Sequence, residues 1–496
     1  MRERWNWGAR CFAGLIISII AIAMAIPCYG QTYTTLVSFN STNGANPYYG
    51  PLVQGRDGNL WGTTSGGGAH GVGTIFKTTL DGSLTPVYNF CPQSNCADGA
   101  YPVAGLVLGK DGNFYGTTLM GGDENGCDFP QGCGVIFKIT PKGVYTVLHT
   151  YGASDLATGP IGGLIQATDG RFYGDGGLDG GGMAVYRVTS SGTYTELARW
   201  DLSTAGHPYG GLIQNTDGSL YGTTSLGGTG TNCNDGCGTV FKINTNGKKM
   251  VVLHSFDYTD GAYPVAGLVQ AADGNLYGAT PYGGLNVGNC ALVYPYSQCG
   301  TLFEITSTRV FSPLYDFCPQ TNCLDGVGAF GTLIQATDGN LYGTTDYGGV
   351  IGNGTIYELN PGTQTFGVVS DFPQNSGSVA GLLQATNGKL YGTNLSGGTS
   401  TNCPYGCGAI FSVDLGMGPF VRPLTYSGKV GATIEILGQG FTKSTTVAFN
   451  GIAATRSVVS GNYLTAKVPT GATTGYVTVT TGAVTLTSDK VFIVTP

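Results

Sequence analysis

Twelve cysteines between residues 91 and 407 fall into six near-neighbour couples: Cys91/Cys96, Cys127/Cys133, Cys233/Cys237, Cys290/Cys299, Cys318/Cys323 and Cys403/Cys407. Thiols at such spacing either close disulfides or ligate a soft metal such as zinc. Cys233/Cys237 and Cys403/Cys407 have a spacing that some zinc sites use, but no His is near enough in sequence to complete four ligands. An even count in an exported chain reads as a disulfide framework, and local pairing needs the least chain closure. No metal and no cofactor are expected.

A second set of residues could bind a ligand. Asp98-Gly-Ala-Tyr101-Pro and Asp260-Gly-Ala-Tyr263-Pro recur, with Tyr48 and Tyr49, His207 and Tyr209, and Asp325 and Phe330 at related positions. Aromatic faces beside Asp and Asn suit sugar rings, which offer apolar C–H faces and hydroxyl edges. The same side chains could instead pack neighbouring units together. Catalysis finds less support. The four His (70, 149, 207, 254) are scattered, with His149 and His254 expected as half-buried cross-strand partners. No Ser-His-Asp, paired-carboxylate or metal constellation is visible. A sialidase-like Arg cluster is missing too, because Arg56, Arg171, Arg187, Arg199 and Arg309 hold unrelated positions. Asp123, Glu124, Asp235 and His70 are the loop residues that could still meet in space.

These residues hang on a repeat. Leu333-Ile-Gln-Ala-Thr-Asp-Gly-Asn-Leu-Tyr-Gly-Thr-Thr345 has six further copies, starting at Leu52, Leu106, Leu164, Leu212, Leu268 and Leu382. Each carries an aromatic-Gly pair: Trp61, Tyr115, Tyr173, Tyr221, Tyr277, Tyr342 and Tyr391. The anchors are 48 to 65 residues apart. In the sixth unit, Thr332–Ala336, Leu341–Thr345, Gly354–Leu359 and Phe366–Phe372 read as four strands, the first two joined by an Asp-Gly two-residue turn. Because the B-strand aromatics recur in every unit, they are assigned to the core. The turn Asp is assigned to turn chemistry, since one carboxylate supplies too few oxygens for calcium. The third unit is degraded, with Asp175-Gly-Gly where Thr-Thr is expected.

Seven small four-stranded sheets describe a β-propeller, each blade packing on its neighbours. The seventh unit lacks a fourth strand, and Thr34–Phe39 matches that strand, so the N-terminal strand is expected to close the last blade against Ala409–Val413. The first strand lies nearest the axis, which places the candidate aromatics around one mouth of a central channel. The tight turns occupy one face. The cysteine couples and most of the length variation occupy the other, where closed loops would hold a binding face still. Stapling for protease resistance alone is the competing use.

Residues 1–30 read as a signal peptide: Arg2, Arg4 and Arg10, then an apolar run from Cys11 to Ile26, with cleavage expected after Gly30. Cys11 and Cys28 of the 14 cysteines leave with it. Residues 31–416 form the propeller. Residues 417–496 carry short alternating strands at roughly ten-residue spacing, which reads as an Ig-like β-sandwich. The mature chain is expected to have no membrane span and to be monomeric. With 22 basic against 29 acidic residues, net −7, and no basic cluster, nucleic acid is not an expected partner.

The seven units, over residues 32–415, resemble the GloVer tandem repeat of exported bacterial proteins described as "choice-of-anchor". The last segment resembles an IPT/TIG domain through Gly438-Gln-Gly440-Phe441 and Val468-Pro469. The resemblance implies a secreted or surface-displayed protein and no defined reaction. The sequence therefore points to an all-β, secreted seven-bladed propeller with a C-terminal Ig-like module. It would bind an extracellular polysaccharide or a surface protein through its cysteine-bearing face. A carbohydrate-active hydrolase or lyase with a channel-mouth site, or a purely structural surface protein, are the alternatives.

Overall fold

A computed structural model describes residues 31–496 except 94, 123–131, 153–154, 156–158, 178–180, 294–298 and 374–375. The leader therefore lies outside the described residues. The chain is all-β, with the short helix Val287–Val293 as the one α-helix among the described residues. Each of the first six repeats folds as a four-stranded antiparallel sheet with strands in chain order; the fifth, for instance, is Val269–Gln270, Leu276–Thr280, Thr301–Ile305 and Phe311–Asp316. The seventh sheet takes three strands from the end of the repeat region and its fourth from the start of the chain. Thr32–Ser38 pairs antiparallel with Ala409–Asp414, the expected partner strand.

Packing explains the repeated residues. The second strand, Leu-Tyr-Gly-Thr, is buried on both faces because sheets cover it on either side. Its Gly is required by close approach: a Cβ on Gly62, Gly222 or Gly278 would lie 2.7, 2.8 or 2.3 Å from the third-strand Phe76, Phe241 or Phe303. Seven hydrophobic clusters each join two consecutive sheets, and the last unites Leu52, Leu60 and Phe76 of the first sheet with Tyr391 and Ile410 of the seventh.

Two expectations need correction. The first strand is not a five-residue apolar run; only two residues, such as Ile334–Gln335, enter the ladder. Its Gln has a polar task instead. Gln335 Nε2 donates to Gly339 O of its own turn at 2.9 Å, while its Oε1 accepts Ala272 N–H of the preceding sheet at 2.8 Å. Gln166, Gln214, Gln270 and Gln384 repeat this bond to the preceding sheet, and Gln54 Oε1 accepts Thr386 N–H at 3.0 Å, joining the seventh sheet to the first. The second correction concerns the turn. Gly55 and Asn59 still bond, leaving three loop residues, with Gly58 alone at positive φ (81°). This is a type I turn followed by a left-handed Gly, not a two-residue turn.

The turn Asp does more than shape the loop. Asp273 Oδ1 accepts Asn275 N–H and Oδ2 accepts Tyr277 O–H at 2.6 Å, tying the turn to the core aromatic four residues on. Asp111, Asp169, Asp217 and Asp338 do the same for Tyr115, Tyr173, Tyr221 and Tyr342.

Beyond residue 419 two further four-stranded sheets enclose a core that includes Ile434, Ile436, Phe449, Leu464 and Val479. This segment rests on the turns of the first and seventh sheets. Arg56 pairs with Glu435 at 2.6 Å, Asn462 Nδ2 donates to Asp57 O at 3.2 Å, and Phe420 N–H donates to Thr386 O at 3.0 Å.

Candidate ligand-binding site

The segments that lead into each first strand come together on the cysteine-bearing side. Five local disulfides hold this side: Cys91–Cys96, Cys233–Cys237, Cys290–Cys299, Cys318–Cys323 and Cys403–Cys407. Cys133 is also disulfide-bonded, and Cys127, its expected partner, lies outside the described residues. Among the described residues, Cys290, Cys318 and Cys323 form the one cluster of three or more potential metal ligands, and all three sulfurs are in disulfides.

Three of these staples have a second consequence. Cys407 O accepts Asn46 N–H at 2.8 Å, Cys237 O accepts Tyr263 N–H at 2.8 Å, and Cys299 O accepts Gly328 N–H at 3.1 Å. The stapled loop of one sheet thus fixes the lead-in segment of the next. Residues in the lead-in segments are strained. Asn46, Tyr101, His207 and Tyr263 have φ of 54°, 54°, 50° and 53°, in the left-handed region that Gly usually fills, and each precedes a proline. Such outliers cost about 1–3 kcal/mol each and persist where the surroundings over-determine them.

An open recess of about 440 Å³ forms where these segments converge, lined by Tyr49, Tyr209, Ser225, Tyr263, Val265, Tyr282 and Phe330. Its walls meet at steep angles. Tyr263 and Tyr282 stand at 86° with centroids 5.7 Å apart, Tyr282 and Phe330 at 84° and 6.1 Å, and Tyr49 and Tyr209 at 63° and 6.4 Å. Tyr48 packs edge-on against Tyr49 at 4.2 Å, and His207 lies beside Tyr209 at 6.3 Å. The Tyr49–Tyr209 contact joins the lead-in segments of the first and fourth sheets, which are not sequence neighbours. Burial raises the phenol pKa of Tyr49, Tyr209, Tyr263 and Tyr282, so all four are neutral O–H groups near pH 7. Burial lowers that of His207, opposed by the nearby Asp235 carboxylate.

Of the sequence-derived candidates, Tyr49, Tyr209, Tyr263 and Phe330 line the recess, and Tyr48 and His207 support it. Tyr101 is half-buried and does not line it. The acids are used elsewhere. Asp98 Oδ2 accepts Tyr88 O–H at 2.7 Å and Cys91 N–H at 3.1 Å; Asp325 Oδ2 accepts Tyr315 O–H at 2.9 Å and Cys318 N–H at 2.8 Å; Asp260 Oδ2 pairs with His254 Nε2 at 2.7 Å. They hold the links after the fourth strands. The fourth-strand rings they grip stack on the next sheet, as His254 does on Phe311 at 3.5 Å and Tyr315 on Phe366 at 3.9 Å. Asp123 and Glu124 lie outside the described residues, and His70 and Asp235 are exposed on loops of different sheets. Sequence reading missed Tyr282, Ser225 and Val265. The signal for Tyr282 was present: an aromatic directly before Gly-Gly, shared with Tyr347 of the sixth repeat, where others carry Gly66, Met120, Leu226 or Ser396.

The repeat that builds this frame matches a known family model, the Gloeobacter/Verrucomicrobia repeat, over residues 22–175, 128–317 and 294–459. The chain belongs to this repeat family. No curated protein matches the sequence. Among solved structures, a fungal alcohol oxidase of the AA5 family, in complex with copper, is similar at 14% identity and TM-score 0.50, over 91% of this chain and 98% of that one. An oligogalacturonate lyase from Vibrio parahaemolyticus is similar at 11% identity and TM-score 0.47, over 78% and 95%. The first of these likenesses is one of fold alone.

Proposed function

We propose that this repeat-family member is an exported seven-bladed propeller, followed by an Ig-like module of the IPT/TIG type, that binds an extracellular glycan at the aromatic recess. The convergence of Tyr49, Tyr209, Tyr263, Tyr282 and Phe330 carries this reading. The architecture is supported by seven sheets whose clusters return from the seventh to the first. Export is supported by the disulfides, which persist in oxidising compartments. Among the described residues no helix is long and apolar enough to cross a membrane. Aromatic rings held on stapled segments meet a ligand already ordered, which lowers the entropy loss on binding. No charged side chain lines the recess, so binding is favoured over hydrolysis or elimination.

The test is a glycan array followed by calorimetry with wild type, Tyr209→Ala and Phe330→Ala. Binding that falls at least about tenfold in both variants, with melting temperatures unchanged, is the expected outcome. Release of reducing or unsaturated ends from a bound polysaccharide would replace this reading with a hydrolase or lyase. Glycan binding indifferent to both substitutions would place the site elsewhere.

A further inference from the structure

The recess has a shape and charge environment that narrow its ligand. Adjacent rings meet edge to face at 86° and 84°, so the recess they line offers no long flat platform for a row of sugar faces. Ring faces carry the negative end of the aromatic quadrupole, and several of them around one point attract a cation. The charged groups acting on these rings have the same sign: Asp346 acts on Tyr282 and Asp235 on Tyr263. Neither Lys nor Arg lines the recess.

Asp346 is itself placed by the repeat. It occupies the position that Ser225, a lining residue, holds two sheets earlier, directly after the Thr pair that ends the second strand. Its backbone N–H donates to Gly328 O at 3.0 Å, on the lead-in segment that carries Phe330. Its carboxyl lies against Gly377, where a Cβ would be 2.2 Å from Oδ1. A carboxylate is thus built beside a cage of neutral rings.

We propose that the recess is a cation cage whose ligand is a sugar bearing a free, protonated amino group, such as a deacetylated amino-sugar polymer, with Asp346 supplying the opposing charge. This rests on the glycan reading above. The amino group sits among Tyr263, Tyr282 and Phe330, and the sugar's C–H surface lies against Tyr49 and Tyr209. An acetylated amino sugar loses the charge, and a uronate meets Asp346 and Asp235 with like sign.

The test compares, by calorimetry at about pH 7, glucosamine tetramer, N-acetylglucosamine tetramer, galacturonate tetramer and tetramethylammonium chloride. Expected are binding of the glucosamine tetramer at least about tenfold tighter than the acetylated one, competition by tetramethylammonium, and no heat from the galacturonate. In Asp346→Asn, glucosamine-tetramer binding should weaken several-fold. Equal binding of acetylated and free amines overturns the cation cage and leaves the glycan reading standing. Binding of tetramethylammonium with neither amino sugar overturns the glycan reading and keeps the cage. Silence from all four overturns the proposal.

Discussion

Replacing Asp175 by Thr should stabilise the protein, and the gain should depend on pH. Asp175 is fully buried in the second strand of the third sheet, and neither carboxyl oxygen finds a partner in another described residue. At the same position Thr63 donates to Ala104 O at 2.9 Å and Thr223 to Ala266 O at 2.9 Å, each bonding the lead-in segment of the next sheet. Asp175 reaches into a space left open by Gly162, where a Cβ would be 2.4 Å from Oδ1. Burial raises its pKa from 3.8 to about 7. Between those values the folded chain keeps a proton that the unfolded chain releases, so stability falls as pH rises and this loss is complete above about 7. A shift of about three units corresponds to about 4 kcal/mol at most. Asp175→Thr should therefore gain about 1 kcal/mol at pH 4, from the restored hydrogen bond, and up to about 5 kcal/mol at pH 8. Urea unfolding at the two pH values measures this. An equal gain at both, or a loss at pH 8, would refute the argument that an unpaired buried carboxyl strains this junction.

Gln54→Leu removes the bond that links the first sheet to the seventh and leaves Thr386 N–H buried, so the urea-derived stability should fall by about 2 kcal/mol. Tyr277→Phe should lose about 1.5 kcal/mol, because its partner Asp273 is a carboxylate. Tyr391→Phe, which loses the neutral Asn387 donor and a long bond to Leu80 O at 3.3 Å, should lose less, about 1 kcal/mol, in the same assay. Arg56→Ala breaks the Glu435 pair and the stacking on Tyr463. Since both ionic groups are about a quarter exposed, at 24% and 25%, the expected loss is only about 1 kcal/mol. It should appear as faster protease cleavage near Leu415–Gly418.

How much of this was legible beforehand follows from what each residue type announces. The sheets were legible because Leu-Tyr-Gly-Thr recurs and the third-strand Phe requires the Gly beneath it. The partner of Ala409–Asp414 was legible because the strand missing at one end of the repeats has a match at the other. The task of the first-strand Gln was not, since its partner is in another repeat and leaves no local mark. Asp98, Asp260 and Asp325 read as ligand groups because Asp beside an aromatic suits a sugar; the nearer fourth-strand Tyr or His claimed them first. Tyr282 was hidden in a loop read as glycine-rich.

The departures from the repeat separate by cause. Leu108 stands where the other six repeats carry the linking Gln, and at that junction Arg56 bonds Lys110 O while gripping Glu435. A lost link between two sheets coincides with the docking of the C-terminal segment, which supplies a contact in its place. Asp175 is a different departure: it breaks a bond and, among the described residues, gains none. The residues before proline at 46, 101, 207 and 263 are a third kind, holding positive φ where the third and sixth repeats use Gly159 and Gly328. Gly would be the less strained choice at all four, and the side chains kept there, or carried two or three residues later, include His207, Tyr209, Tyr263 and Tyr49. Three of these four strained segments thus carry rings that line or support the recess, while the one at Tyr101 does not, and Gly328 leads to Phe330 without that strain.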